Sequence, residues 1–257
     1  MSEDARGAES TRITAAGRAL AVLDVFGTSR LPLSTAEISR RSGLSMTTTH
    51  RLLHELLDWG AVTRVDDGRY ELGTKLFELA TASSPALRLR ESALPALLRL
   101  HRLLRVAVVH LSIREGSDSV YVEALRSARS GIRSNRMGGR MPLHVTSPGR
   151  VLLAYADARL TEEYLRGPLA SYTRFTETDP DVLRTELDLI RATQVSVTAR
   201  QVTETTGGVA APVYDDQDRV VGSVGVVLAL TGHHLEDYLD PVRTAATQIS
   251  RALTRRA

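Results

Sequence analysis

Apolar residues recur at three- and four-residue spacing between Thr14 and Phe26, at Ala16, Ala19, Leu20, Leu23 and Phe26, which predicts a first helix. The Gly27 to Pro32 stretch ends it. Ser34-Thr35-Ala36-Glu37 has the form of a capping box and opens a short second helix to about Arg41. Ser42-Gly43-Leu44 reads as a turn, with Gly43 free to adopt the left-handed conformation that stops a helix. Ser45 caps a third helix to about Trp59, and Gly60 closes it. The runs Ala61–Asp66 and Arg69–Leu72 then flank Asp67-Gly68, predicting a hairpin with a two-residue turn. Helical spacing resumes from Thr74 to Ala82, is interrupted at Ser83-Ser84-Pro85, and returns from Ala86 to Leu104.

The second half changes character. Val106–Ile113 and Val120–Leu125 are β-branched runs separated by Glu115-Gly116-Ser117-Asp118, which predicts an antiparallel pair. Gly138-Gly139 marks a loop. Ser147 is placed as the cap of a helix with Pro148 at its first position, and Asp179-Pro180 opens another helix to about Arg191. Strands are expected at Val195–Thr198, Gly208–Tyr214 and Val220–Leu230, with a turn at Asp215–Asp218 and a closing helix over Leu235–Arg255. The chain is therefore read as α+β. Residues 1–12 are expected as a disordered leader, 13–74 as a winged helix-turn-helix domain, 75–104 as linker helices, and 105–257 as an α+β domain.

Charge refines this plan without deciding it. The 33 basic and 30 acidic residues leave a net +3, and every basic residue but Lys75 is arginine. Residues 1–84 carry 10 basic and 11 acidic side chains, so the N-terminal module is close to neutral; residues 85–150 carry 12 and 4. The arginines of that middle stretch are expected to face a partner subunit or flanking phosphates. With no cysteine, disulfides, thiolate metal sites and a cysteine nucleophile are excluded. No apolar run reaches the ~20 residues of a membrane span, and the polar, acidic start is unlike a signal peptide. A soluble cytoplasmic protein is expected.

A helix-turn-helix needs a third helix with one face packed on its module and the other free to enter the major groove. At 100° per residue Thr49, Leu52, Leu53 and Leu56 share one side, while Thr47, Arg51 and His54 share the other, flanked by Thr48 and His50. Hydroxyls, imidazole and guanidinium suit base edges and phosphates. Any amphipathic helix has such a wet face; the capped helix and glycine turn before it and the hairpin after it favour DNA. The candidate DNA contacts are Ser45, Thr47, Thr48, His50 and Arg51, with Arg64 and Arg69 acting from the wing.

These segments resemble the IclR-type bacterial transcriptional regulators. Leu33-Ser34-Thr35-Ala36-Glu37-Ile38-Ser39-Arg40-Arg41-Ser42-Gly43-Leu44, Thr48-Thr49-His50-Arg51-Leu52-Leu53 and Gly68-Arg69-Tyr70-Glu71-Leu72-Gly73 are similar to the family's DNA-binding helices and wing end. Met141-Pro142-Leu143-His144-Val145-Thr146-Ser147-Pro148-Gly149-Arg150 is similar to its effector-domain loop, and Ala210-Ala211-Pro212-Val213-Tyr214-Asp215 to a late core strand. The resemblance spans about residues 13–255. It implies a homodimer or homotetramer, a GAF-like ligand-sensing domain, and a repressor or activator that binds operator DNA. Thr49 stands where the family usually has a β-branched aliphatic residue, and Ser39 where alanine is usual. Arg191-Ala192-Thr193-Gln194 lacks the Arg-Gly-Tyr that often precedes the penultimate strands. The family's polar late-strand positions correspond here to Thr198, Gly208, Gly225 and Val227, implying a pocket less polar than a pyruvate-like ligand needs.

Within residues 138–150, Ser147 and the amides of Gly149 and Arg150 form a helix N-terminus that could seat an anion; Thr146 and His144 could add hydrogen bonds and Met141 an apolar wall. That mix suits a small carboxylate with an apolar or aromatic body. Catalytic patterns fail on specifics. Gly73-Thr74-Lys75 reverses the order of a P-loop ending, Gly222-Ser223-Val224-Gly225 lacks nucleophile-elbow spacing, and adjacent His233-His234 cannot share a helix face. No metal, cofactor or enzymatic activity is expected. The reading is a ligand-responsive DNA-binding regulator; the alternative is a protein-interaction module whose winged helix does not bind DNA.

Overall fold

The computed structural model describes residues 14–29, 31–105, 108–126, 132 and 136–255. The leader expected at 1–12 and the expected strand start at 106–107 lie outside these residues. The chain divides into two compact units, Met1–Ser84 and Pro85–Ala257. Residues 75–104, expected as linker helices, are shared between them: α4 (Thr74–Ser83) belongs to the first unit and α5 (Pro85–Leu104) to the second.

The first unit also holds α1 (Ala15–Gly27), α2 (Thr35–Ser42), α3 (Met46–Trp59) and a wing of β1 (Val62–Arg64) and β2 (Tyr70–Leu72). Its core joins Val22, Val25 and Phe26 of α1 to Ile38 of α2, Leu52 and Leu53 of α3, and Tyr70 of the wing. The capping box is present: Ser34 Oγ accepts from the Glu37 amide and the Glu37 carboxylate accepts from the Ser34 amide. Gly43 takes a φ of 70°, and the hydroxyl of Ser39 donates to the Leu44 carbonyl at 2.7 Å, tying the α2–α3 turn to α2. That bond accounts for a serine in place of the usual alanine.

The hairpin turn differs from expectation. Arg64 pairs with Tyr70, the Val65 amide donates to Arg69 O, and the Gly68 amide donates to Val65 O. The loop is therefore three residues, Asp66-Asp67-Gly68, closed by Gly68 at φ 78°. This is the type I turn with a left-handed third residue, not the two-residue primed turn. The extra residue shifts the register by one and so sets which face Arg64 presents.

The second unit is a six-stranded antiparallel sheet ordered β5-β4-β3-β8-β7-β6. The strands are β3 (Val108–Glu115), β4 (Asp118–Arg126), β5 (Arg140–Pro142), β6 (Ser196–Ala199), β7 (Thr206–Tyr214) and β8 (Val220–Ala229). One face is apolar: Val109 and Leu111 of β3, Val209 and Val213 of β7, and Val224, Val226 and Leu228 of β8 pack on α5 and α9 (Leu239–Thr254). The buried Leu89, Ala93, Leu97 and Leu100 of α5 belong to that core. The other face receives α6 (Ser147–Ala154), every residue of which is buried, with α7 (Ala158–Arg166) and α8 (Pro180–Thr193) outside it. Beneath α6 the sheet offers Gly208, Ala210, Ser223, Gly225, His110 and Ser112, small or polar residues that let the helix approach closely.

β5 and α7 were not foreseen, and the closing helix is preceded by a separate 3-10 turn at Leu235–Tyr238. Several middle-stretch arginines are spent within the unit. Arg90 pairs with Glu123, Arg140 with Asp118, and Arg99 donates to Gln248. Among the described residues no helix is long and apolar enough to cross a membrane.

Two buried polar side chains generate predictions. Thr49 is fully buried in α3, and its hydroxyl has no hydrogen-bond partner. Thr49→Val should raise the unfolding free energy of the first unit by about 1 kcal/mol, read by denaturant titration. His110 is buried, and burial foremost, with the charge of Arg126 adding, pushes its pKa down to about 3. It stays neutral in the fold while the unfolded chain takes a proton below pH ~6.5. Its contribution is therefore complete above that pH and falls as pH drops from 6.5 towards 3, by up to about 1.4 kcal/mol per pH unit. Unfolding midpoints at pH 7.5 and 5.5 should show the loss, and His110→Gln should flatten it.

Candidate DNA-reading surface and ligand cavity

The third helix presents the two faces its sequence demanded. Thr49, Leu52 and Leu53 are buried, while Ser45, Thr47, His50, Arg51 and His54 are exposed and Thr48 is half-buried. Ser45 caps the helix, accepting from the Thr48 amide at 3.3 Å and donating to the Thr48 hydroxyl at 2.9 Å. Four of the five expected contacts therefore lie exposed on one end of α3, and Thr48 joins them through its cap. Met46, which the sequence reading passed over, is also exposed there. Arg51 bonds Glu55 at 2.8 Å, with both side chains well exposed. Such a pair is worth only a few tenths of a kcal/mol in water, so the guanidinium can turn to a phosphate or guanine at small cost.

The wing arginines are more constrained. Arg64 Nε donates to Gly68 O at 3.4 Å, and its guanidinium lies 5.9 Å from the Tyr70 ring centre. Arg69 is paired with Asp67 at 3.0 Å and reaches the Pro32 carbonyl at 3.5 Å. The tip itself carries Asp66 and Asp67, both exposed. Arg64 is thus the better placed of the two for backbone contact, since Asp67 offsets the charge of Arg69.

In the second unit a small cavity of about 40 Å³ opens at the N-terminal end of α6. Of the expected ligand residues, Met141, Thr146, Ser147, Thr198, Gly208 and Val227 line it. Tyr121, Val145, Gln201, Val202, Thr203, Thr206 and Gly207 complete the wall. The sequence reading missed these; the polar run Gln201 to Thr206 between two strands was the available signal. Burial holds the Tyr121 phenol neutral by raising its pKa. The cavity is tight at its floor: a Cβ on Gly208 would lie 2.7 Å from Ser147 Oγ.

His144, Gly149 and Gly225 do not line the cavity. His144 is buried with its ring between the Tyr164 hydroxyl at 2.7 Å and the Ala170 carbonyl at 3.0 Å. A carbonyl only accepts, so Nε2 carries the proton and Nδ1 accepts from Tyr164; burial lowers the His144 pKa and keeps the ring neutral. Gly149 is a packing residue, since a Cβ there would sit 2.4 Å from Leu143 O. Gly225 lies beneath α6, between His110 and Ala210 across the sheet.

The expected capping is also corrected. Thr146, not Ser147, is the N-cap: its hydroxyl accepts from the Gly149 amide at 3.1 Å and its carbonyl from the Arg150 amide at 2.8 Å. The two amides expected to seat an anion are therefore occupied. Ser147 instead carries a buried hydroxyl that lines the cavity and has no hydrogen-bond partner. Such a group costs free energy until something in the cavity satisfies it. Buried Arg150 braces the wall from behind, donating to the His144 carbonyl at 2.6 Å and to Gln201 at 2.8 Å and pairing with Glu186.

A winged helix with an open polar face, followed by a sheet domain with a small cavity at a helix N-terminus, defines a ligand-responsive DNA-binding regulator. Residues 15–66 match the IclR helix-turn-helix domain and residues 82–251 the bacterial transcriptional regulator IclR C-terminal domain, so the chain belongs to the IclR family. It is 31% identical over 242 residues to the Pca regulon regulatory protein of Pseudomonas putida, covering 92% of this chain and 82% of that one. The transcriptional regulator XynR of Escherichia coli is 28% identical, at 92% and 95% coverage. The crystal structure of an IclR homologue from Microbacterium hydrocarbonoxydans, complexed with 4-hydroxybenzoate, superposes with a TM-score of 0.89 at 30% identity, covering 95% of this chain and 100% of that one. These matches decide for transcription regulation over the protein-interaction alternative, and against an enzyme.

Arg51→Ala should weaken binding to duplex DNA by about 1 kcal/mol or more and lower the slope of log affinity against log salt by about one. Fluorescence anisotropy across a salt series reads both. An unchanged slope would remove Arg51 from the phosphate contacts.

Proposed function

We propose that this regulator reads operator DNA with Ser45, Thr47, Thr48, His50 and Arg51 of α3, with Arg64 and, more weakly, Arg69 touching the backbone from the wing. One helix in one groove gives weak affinity, and two copies on two half-sites give a selective one. A homodimer, or a homotetramer built from it, is supported by α4: none of its described side chains is buried, and Phe77 and Leu79 stand exposed on it. Apolar groups so placed suit burial against a second copy. A protein acting on bacterial operators works in the cytoplasm.

The effector is a small carboxylate with an aromatic or apolar body. The observation that carries this is the partnerless Ser147 hydroxyl on a largely uncharged cavity wall with Met141, Val145, Val202 and Val227. It suits a ligand with one polar end to satisfy and an apolar body to bury. The complex of the Microbacterium homologue with 4-hydroxybenzoate supports the same class. An effector changes DNA affinity only if it binds one DNA-binding geometry better than another.

The test is a thermal-shift and gel-shift series with 4-hydroxybenzoate, benzoate and short aliphatic carboxylates. The aromatic acids should raise the melting temperature and alter DNA affinity. Gly208→Val, which fills the floor, should abolish both effects while leaving DNA binding intact. No response to any of these acids, or a response unaltered by Gly208→Val, would overturn the assignment.

A further inference from the structure

The recognition helix is poorly charged for the polyanion it must meet. Over Met46–Trp59 one arginine stands against two carboxylates, Glu55 and Asp58, and Glu55 already holds Arg51 at 2.8 Å. Its remaining titratable side chains are two imidazoles. His50 and His54 sit one turn apart with ring centres 4.9 Å from each other, and both are exposed.

We propose that His50 and His54 form a proton-dependent clamp for DNA phosphate, so that DNA binding by this protein takes up protons. The inference rests on α3 being the DNA-reading helix. Imidazole is the side chain whose charge changes between pH 5 and 8, and a nearby phosphate favours its cationic form. His50 and His54 are also the only histidines in residues 1–84. Carboxylates and guanidinium groups keep their charge across that window.

The charged neighbours leave few fixed cations. On α3 these are Arg51 and Glu55, which pair with each other, and Asp58, one turn beyond His54. From α2, Glu37 is committed to the Ser34 capping box, leaving Arg40 and Arg41 as permanent cations. Arg18 and Asp24 of α1 oppose each other in sign, and Arg64 of β1 is bound to its own turn. Protonating both imidazoles would change α3 from one net negative charge to one net positive charge. With ring centres 4.9 Å apart, one phosphate can lie against both rings and favour the cationic form of each. Proton uptake is thereby coupled to binding.

The experiment is anisotropy titration of the full chain on a labelled random-sequence duplex at pH 6, 7 and 8, each at several salt concentrations. Phosphate contacts are independent of sequence, so no operator is needed. Affinity should rise by about tenfold or more from pH 8 to pH 6, and the salt slope should steepen by about 0.9 for each proton taken up. The variant carrying His50→Gln and His54→Gln should lose the rise, so that its affinities at pH 6 and pH 8 differ by much less than the parent's. Salt-sensitive binding that ignores pH, or a rise that survives in the double variant, overturns the clamp and leaves α3 as the reading helix. No binding at any pH overturns that reading and the clamp with it.

Discussion

The second unit is organised by how closely α6 lies on its sheet. A helix with every residue buried needs a platform without bulk, and Gly208, Ala210 and Gly225 provide it on adjacent strands. A Cβ on Gly225 would come 2.9 Å from Val209 O, so the strands themselves are also drawn close there. The apolar bulk is displaced to the opposite face, where valines and leucines meet α5 and α9. Closeness has a cost: the hydroxyls of Ser112, Ser147 and Ser196 are enclosed without partners. At the N-terminal end of α6 the platform runs out before the helix can cover it, and the cavity is the space that remains.

The first unit is governed by electrostatics more than by packing. Its nine-residue core is ordinary, and its capping bonds fix the helix starts to within a residue. Its surface is nearly balanced in charge, with two aspartates at the tip of the wing. Strong non-specific binding comes from neutralised phosphates, and this module has few uncommitted cations to neutralise them with. Less of its DNA affinity can therefore come from phosphate neutralisation than in a strongly basic module.

The elements were legible wherever local chemistry sets them. Helix starts follow from Ser34, Ser45 and Asp179, whose side chains cap them, and helix ends from Gly43 and Gly60. The outward face of α3 followed from periodicity alone. What was not legible depends on tertiary contacts. Whether Asp67-Gly68 makes a two- or three-residue loop is set by the pairing of Leu33 with Tyr70 as much as by the dipeptide. β5 is three residues long and exists because β4 offers it an edge. His144 looked like a ligand group because Met141, Thr146 and Ser147 around it line the cavity; Tyr164 and Ala170, far along the chain, claim its ring. Thr146 and Ser147 are both sound caps, and only the backbone turn decides between them. The wall from Gln201 to Thr206 was missed because its residues do not show in sequence which way they face.

The strand order has a bearing on how the molecule is made. β3 enters near the start of the second unit and pairs with β8 near its end, and α5 likewise packs on α9. Contacts between distant parts of a chain close late, because the intervening loop must first be restrained. During synthesis the winged module and the β3–β4 hairpin can form as soon as they emerge, while α5 keeps an uncovered apolar face until the last helix is translated. A nascent chain of this regulator thus has its DNA-binding part complete well before the part that senses the ligand.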